Sequence, residues 1–479
     1  MSDIRSNTVD GVKWSAIEKF SVQGIMFLVS LVLARLLTPS DFGLVGMLSI
    51  FIAISQTFID SGFSSALIRK ADRTEIDNST AFYFNIIVGL ISYLALYVVA
   101  PYIADFYNTP VLKDITRVLG ITLFLNSLTV VQVALLTINV DFKTQAKVNF
   151  TSAILSGIIG ILMAYNGWGV WALVYQQVIR SALCVLFLWI ATKWKPLFVF
   201  SWVSFKNLFS FGSKILMSGL LHTVYLNVAN LVIGKFYTSK DLGFYERGQQ
   251  FGRVPIDSMV MIFQRVTYPI MSSIQEDEQR LIYVYRKYIK MTSIIIFFVI
   301  FLLIALAKPI ILVLLTEKWS EAIIFLQLYC FANMFNHITR INLNLLQVKG
   351  RSDLFLRLEV IKKSISLLFL ILSIPYGVIA ICLSQVAYVP FALYLNTYYT
   401  NKLFGISLMS QVRDFAKYMI AALAACLPVY LCVLFNLSNL ICLLIGPLIA
   451  IVLYIFVLLR RDPIYCELCE IAQGYYRKR

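Results

Sequence analysis

The sequence predicts an all-α integral membrane protein of about fourteen transmembrane helices, and three observations carry that prediction. Of its 479 residues, 59% are hydrophobic and only 14% charged, whereas a soluble domain runs at about 45–50% and 25%. The mean hydropathy is +0.80. The apolar residues come in blocks of membrane-crossing length, separated by short polar breaks. Together these exclude a soluble globular enzyme and a disordered chain. One helix with its connection takes about 30–35 residues, which leaves room for about fourteen spans.

Taken in order, the blocks are 11–37, 41–67, 79–104, 112–138, 144–164, 168–192 and 206–234, then 242–272, 284–315, 319–347, 354–374, 377–400, 410–435 and 438–460. The first contains Glu18 and Lys19 and ends in no small-residue cleavage motif, so it reads as a retained helix. Loop charge tests the count. With the N-terminus in the cytoplasm, the inside segments hold Arg69, Lys70 and Arg73, Lys193 and Lys195, Arg280, Arg286, Lys287 and Lys290, Lys349 and Arg351, and Arg460, Arg461, Arg477, Lys478 and Arg479. The outside segments hold only Arg35, Lys113, Lys235, Lys240 and Lys318. A missed or invented helix would scramble that alternation, so both termini are expected inside. The same bias accounts for most of the net charge of +16 and removes the need for a nucleic-acid partner.

No catalytic constellation stands out. Outside connections are short and leave no room for an extramembrane catalytic domain. His222 and His337 are the only histidines, too few for a zinc cluster. No GxxxxGK(S/T) loop is present, so the chain is not itself an ATPase. Cys184, Cys330, Cys382, Cys426, Cys432 and Cys442 sit in apolar blocks and read as core residues. Cys466 and Cys469 form one CxxC in the tail, without a second ligand pair nearby.

An internal repeat is visible. RLLTPSDFGL at 35–44 aligns with KFYTSKDLGF at 235–244, pairing Arg35 with Lys235, Thr38 with Thr238, Asp41 with Asp241 and Gly43 with Gly243. Each is an outside hairpin whose Thr, Ser and Asp are helix-capping residues. Pro101 and Pro309 give a weaker echo. Six helices separate the copies, so they share one orientation, and substrate commonly binds at such a repeat interface. The expected organisation is an N-lobe at 1–192, a cytoplasmic linker at 193–205, a C-lobe at 206–400, two further helices over 401–460 and a cytoplasmic tail at 461–479. The two further helices are expected to face lipid.

Polar stripes lie inside the apolar blocks. In the eighth, Glu246, Gln250, Arg253 and Asp257 fall on one helical face, Gln264 continues it, and Arg247 and Gln249 lie beside it. A charge at mid-bilayer costs at least about 2.5–3.5 kcal/mol, so the stripe faces either water or partners. Two arginines and three glutamines exceed what Glu246 and Asp257 can satisfy, which favours a hydrated cavity over a buried ion pair. The tenth block carries Asn333, His337, Arg340, Asn344 and Gln347 on one stripe with no carboxylate. Arginine grips phosphate bidentately and amides bond sugar hydroxyls, so this surface suits an anionic, hydroxyl-rich ligand. His337 alone would serve equally as a satisfied core residue. The seventh block adds Lys214, Ser218 and His222, with Asn227 and Asn230 further out. Lys214 is also placed to snorkel to the cytoplasmic surface. Glu18, Asp60, Glu246 and Asp257 are the candidates for coupling transport to Na+ or H+.

Several segments resemble the bacterial polysaccharide flippases, the O-antigen and exopolysaccharide (Wzx-type) members of the multidrug/oligosaccharidyl-lipid/polysaccharide exporter superfamily. They are LARLLTPSDFGLVGM at 33–47, GFSSALIRK at 62–70, GVWALVYQQ at 169–177, KDLGFYERGQQFGRVP at 240–255 and QRVTYPIMSSIQEDEQRL at 264–281. From 353 onward the likeness is one of hydropathy only. The resemblance implies fourteen helices in two pseudo-symmetric lobes that alternate access. It also implies a substrate with a polyprenyl tail, a pyrophosphate and an oligosaccharide, flipped from the cytoplasmic to the outer leaflet of the inner membrane for O-antigen, capsule or exopolysaccharide assembly. Arg247, Arg253, Arg340 and Lys214 are the candidates for the pyrophosphate, and Gln250, His337, Asn344 and Asn227 for the glycan. A monomer working beside a glycan polymerase or other assembly machinery, amid membrane lipids and without nucleic acid, is expected. The alternatives are another transporter of the superfamily, a lipid II flippase or a drug/cation antiporter, and then a membrane glycan polymerase or ligase.

Overall fold

Caps written into the sequence set where many helices begin. In the computed structural model, Thr74 and Asp77 form a reciprocal capping box at the start of α4, Glu75–Phe106. Asp141, Ser201, Asp277 and Ser407 each accept a backbone N–H three residues on. The structure describes residues 2–60, 62–459 and 462–467, with side chains except at 2–13, 15–19 and 457–459. Among the described residues every regular element is helical and no strand occurs.

The chain packs as two compact units, Met1–Gly243 and Phe244–Arg479. The first holds α1 (Ser2–Leu36), α2 (Pro39–Asp60), α3 (Phe63–Arg69), α4, α5 (Leu112–Ser127), α6 (Val130–Ile138), α7 (Phe142–Tyr165), α8 (Val170–Thr192) and α9 (Trp202–Phe236). Within it, α1 lies along α7, α4 along α5, α7 along α8 and α2 along α9. The division differs from the lobe boundary expected at 193–205: α9, expected to open the C-lobe, packs with the first unit. A repeat records sequence kinship and a unit records packing, so the two divisions need not coincide.

Helix α10 (Ser239–Ser273) starts at the end of the first unit. The second unit continues with α11 (Glu278–Ala305), α12 (Ala307–Leu315), α13 (Ala322–Ala332), α14 (Asn336–Val348), α15 (Ser352–Ser373), α16 (Val378–Phe404), α17 (Leu408–Leu434) and α18 (Asn439–Val452), which ends in a π-helical turn over Leu453–Leu459. Here α11 lies along α17, and α16 packs on α13, α14 and α15.

Eleven stretches among the described residues are long and apolar enough to cross a membrane, which makes this a multi-pass membrane protein. The other three expected spans, 11–37, 242–272 and 354–374, are helical but depart from a plain apolar rod. In α1 only Phe20–Leu36 is apolar, α10 carries the charged stripe, and α15 holds Asp353, Arg357, Glu359, Lys362 and Lys363.

Four blocks expected as single helices are broken, each for a local reason. Gly62 adopts φ 69° between α2 and α3, a left-handed conformation that glycine tolerates. Thr129 donates its hydroxyl to the Asn126 carbonyl between α5 and α6. Pro309 removes a donor and crowds the Ala305 carbonyl, where α11 gives way to α12. Asn333 donates its side-chain amide to the Tyr329 carbonyl between α13 and α14.

The repeated hairpins have the same local build. Thr38 and Thr238 each bond the Asp carboxylate three residues on, their hydroxyls at 2.7 and 2.6 Å, and accept that Asp's N–H in return. The helix starts also touch reciprocally inside the first unit. A Cβ on Gly43 would stand 1.6 Å from the Ser239 carbonyl oxygen, and one on Gly243 would stand 1.9 Å from that of Pro39. Ser40 and Ser239 share a 2.7 Å hydroxyl contact.

The segment 193–201 is pinned to the start of α4. Trp194 Nε1 donates to Glu75, and the backbone N–H groups of Leu197 and Ser201 donate to the Ser79 and Thr80 hydroxyls. Trp194 and Trp189 pack edge-on against Phe82.

Candidate functional site

The stripe on α10 divides by accessibility. Arg253 and Asp257 are exposed, while Glu246, Arg247, Gln250 and Gln264 are half-buried. Arg247 donates to the Gln250 side-chain oxygen at 2.5 Å, and the adjacent Glu246 lies within electrostatic reach of it. Arg253 donates to Gln249 at 3.2 Å. Asp257 lies 18 residues along this 35-residue helix, near its midpoint.

The α14 stripe divides too. Arg340 and Gln347 are exposed, but His337 and Asn344 are only 2% and 5% exposed. His337 Nε2 sits 3.1 Å from the Ser293 hydroxyl, and its ring meets Phe297 edge-on. Asn344 donates to the Thr267 hydroxyl at 3.3 Å. The contacts of both are those of interior residues, because the stripe is wider than the wall that one helix can present. His337 still helps to line a small cleft together with Gln264, Thr267, Thr292 and Arg340.

Arg253 and Arg340 both act electrostatically on Asp257. The structure thus brings the α10 and α14 candidates into one charged neighbourhood of the second unit. Tyr329 joins it through Arg253 and Asp257. Lys362, 7% exposed and paired with Glu359 at 2.5 Å, lies within electrostatic reach of Arg340. The sequence reading passed over this pair, although two charges one turn apart inside an apolar block were a visible signal.

The first unit holds the remaining candidates. Lys214 is exposed on α9. Asn227 donates back to the Thr223 carbonyl at 2.9 Å, and the Thr223 hydroxyl lies 3.1 Å from that of Thr57. Asn126 donates to Gln56 and Gln56 to the exposed Asp60, at 2.9 and 3.0 Å. The side chain of Glu18, together with Cys469 and the basic residues Arg460, Arg461, Arg477, Lys478 and Arg479, lies outside the described residues. Cys466 is exposed, and no cluster of metal-ligating side chains occurs among the described residues.

A second polar group escaped the sequence reading. Tyr285 donates to Asn342 at 2.5 Å, Thr400 donates to the same oxygen at 3.0 Å, and Asn342 donates to Gln411 at 3.1 Å. All four residues are fully buried, and they tie α11, α14, α16 and α17 together. Arg286 holds Asp414 bidentately at 2.7 and 2.9 Å, with Lys290 at 3.3 Å. Helix α17, expected as a lipid-facing extra, is therefore built into the polar interior of the second unit.

Comparison with known proteins agrees with this architecture. The family model described as "Polysaccharide biosynthesis protein" matches residues 32–324, more than half of the chain. The teichuronic acid biosynthesis protein TuaB of Bacillus subtilis is 28% identical over 356 residues, 74% of either chain. The lipopolysaccharide biosynthesis protein WzxC of Escherichia coli is 24% identical over 362 residues, 75% of this chain and 73% of that one. Among solved structures, the lipid II flippase MurJ in an inward closed conformation superposes with a TM-score of 0.74 at 15% identity, covering 92% of this chain and 98% of that one. The chain therefore belongs to the polysaccharide biosynthesis protein family, and its fold is that of the lipid II flippase MurJ.

Proposed function

We propose that this chain flips polyprenyl-pyrophosphate-linked oligosaccharide repeat units from the cytoplasmic to the outer leaflet of the bacterial inner membrane. It would do so by alternating access, with fourteen spans in two pseudo-symmetric lobes and both termini in the cytoplasm, and without catalysing a covalent step. The observation that carries the reading is Arg340. It is exposed and makes no hydrogen bond or ion pair within 4 Å among the described residues, on a stretch, Ala322–Val348, apolar enough to span a membrane. Such a guanidinium is strongly disfavoured against lipid but fits a hydrated pathway that receives phosphate. Arg253 lies in the same neighbourhood, and Gln250, Gln264 and Gln347 supply amides for hydroxyls.

In this reading Arg253 and Arg340 hold the pyrophosphate, with Arg247 and Lys214 as further cations. His337 and Asn344 shape the wall from behind. Asp60, held by Gln56, and Glu18 are the carboxylates for Na+ or H+ coupling in the first unit. The lipid-linked product would pass to polymerising machinery outside.

The test measures lipid-linked repeat units in cells lacking this chain, with sidedness read by a membrane-impermeant sugar-modifying probe. Accumulation on the cytoplasmic leaflet, reversed by the intact chain, is expected. Units that reach the outer leaflet unpolymerised would instead mark a polymerase or ligase defect. The fold likeness to the lipid II flippase favours one second reading, transport of a peptidoglycan precursor. Rescue of cells depleted of their own lipid II flippase would establish that reading in place of the first.

A further inference from the structure

We propose that Asp257 is the resident counter-ion of the headgroup site: it faces Arg253 and Arg340 in the empty protein and gives way to a substrate phosphate. The inference rests on the pyrophosphate reading above and gives Asp257 a role other than ion coupling.

Three charged side chains converge. Arg253 and Asp257 stand one turn apart on α10 and are both exposed. Arg340 is exposed on α14 and lines one cleft with Val260 and Gln264, one and two turns beyond Asp257 on α10, which puts both guanidiniums within electrostatic reach of the Asp257 carboxylate. None of the three has closed into an ion pair. Arg253 spends a donor on neutral Gln249, and neither Asp257 nor Arg340 has a hydrogen-bond or ion-pair partner within 4 Å among the described residues. Elsewhere in the same unit a carboxylate meant for structure is seized bidentately, as Asp414 is by Arg286.

That difference has a chemical meaning. A carboxylate bonded to both forks would fill the donors that a phosphate needs. One that bonds neither leaves the Arg340 fork free and lowers the charge of the trio from two to one. A transporter must also release what it binds, and two bare guanidiniums in a low-dielectric pathway would retain a diphosphate. A fixed negative charge beside them weakens the bound state and re-neutralises the arginines as the headgroup leaves.

The test uses the full chain in lipid nanodiscs, with inorganic pyrophosphate as the probe and calorimetry as the readout. Asp257→Asn is expected to bind pyrophosphate roughly tenfold to a hundredfold more tightly than the native chain, most clearly at low salt. In cells the same variant is expected to lose most export while still accumulating in the membrane. Asp257→Glu, which keeps the charge, is expected to restore native affinity and most export. Unchanged or weaker pyrophosphate binding in Asp257→Asn, with binding lost in Arg340→Ala, overturns the counter-ion role and leaves the headgroup reading standing. No binding in the native chain and in Arg340→Ala alike overturns both. Asp257→Ser carries the same comparison if the Asn variant does not accumulate.

Discussion

In the proposed site Arg253 and Arg340 would contribute two properties of guanidinium: it is a lasting positive charge and it grips two oxygens at once. Changing either to Ala is expected to abolish export in the leaflet assay with membrane insertion intact, and normal export in both variants would refute the cationic site. Lys at either position keeps the charge and loses the fork, so partial export is expected. Asp462 illustrates a charge with a structural role instead. Burial works to raise its pKa, but the 2.6 Å bond from Lys417 and the N–H groups of Tyr465 and Ile464 outweigh this and hold the carboxyl below its ordinary value. A lowered folded-state pKa means the stabilisation is complete above the unfolded value, about pH 4. It is lost as pH falls through the lower folded value. Limited proteolysis of the tail is therefore expected to stay slow at pH 6 and to speed up below pH 4, whereas Asp462→Asn is fast at both.

Helices α2 and α10 show how an element can depend on one missing carbon. A Cβ at Gly43 or Gly243 would fall inside the radius of a carbonyl oxygen, and that oxygen belongs to backbone that cannot swing aside. Gly43→Ala and Gly243→Ala are each expected to destabilise by about 3 kcal/mol or more, above the usual 1–3 kcal/mol of overpacking. Thermal unfolding of the purified protein checks this, and a native midpoint in both variants would sink it. The Asn342 group behaves differently because its cost lies in unmet hydrogen bonds. Asn342→Leu strands Tyr285 and Gln411 without their partner, and a loss of about 1–3 kcal/mol is expected. Asn342→Asp keeps an acceptor for Tyr285 and Thr400, so it separates a bonding effect from a packing one.

At the scale of the whole molecule, charge asymmetry predicts the orientation. Reporter fusions at 193–206, at 273–278 and at the C-terminus are expected to report cytoplasm, and fusions at 108–111 and 316–321 the outside. A reversed signal at any of them would break the fourteen-span topology. The linker 193–205 was a natural place to look for a hinge, yet its indole and backbone N–H groups are tied to Glu75, Ser79 and Thr80. It therefore moves as part of the first unit.

Membrane class, helical spans and the hairpin repeat were all legible in the sequence, because hydropathy, capping residues and turn chemistry act over a few neighbouring positions. The residue types of the proposed site were legible for the same reason: charges in an apolar block call for an explanation before any contact is known. What the sequence could not sort was which member of a stripe is exposed. Periodicity places Arg340, Asn344 and His337 on one face, but how far a neighbour covers that face depends on packing between helices distant in the chain. Ser293 and Phe297 on α11 turn His337 inward, and Thr267 does the same for Asn344. Long-range packing likewise decided that α17 joins the interior through Gln411 and Asp414 and that α9 packs with the first unit. Local chemistry wrote the helices and the charges; only tertiary packing, which decides what each charge faces, distinguished the exposed arginines from the interior polar groups that brace them.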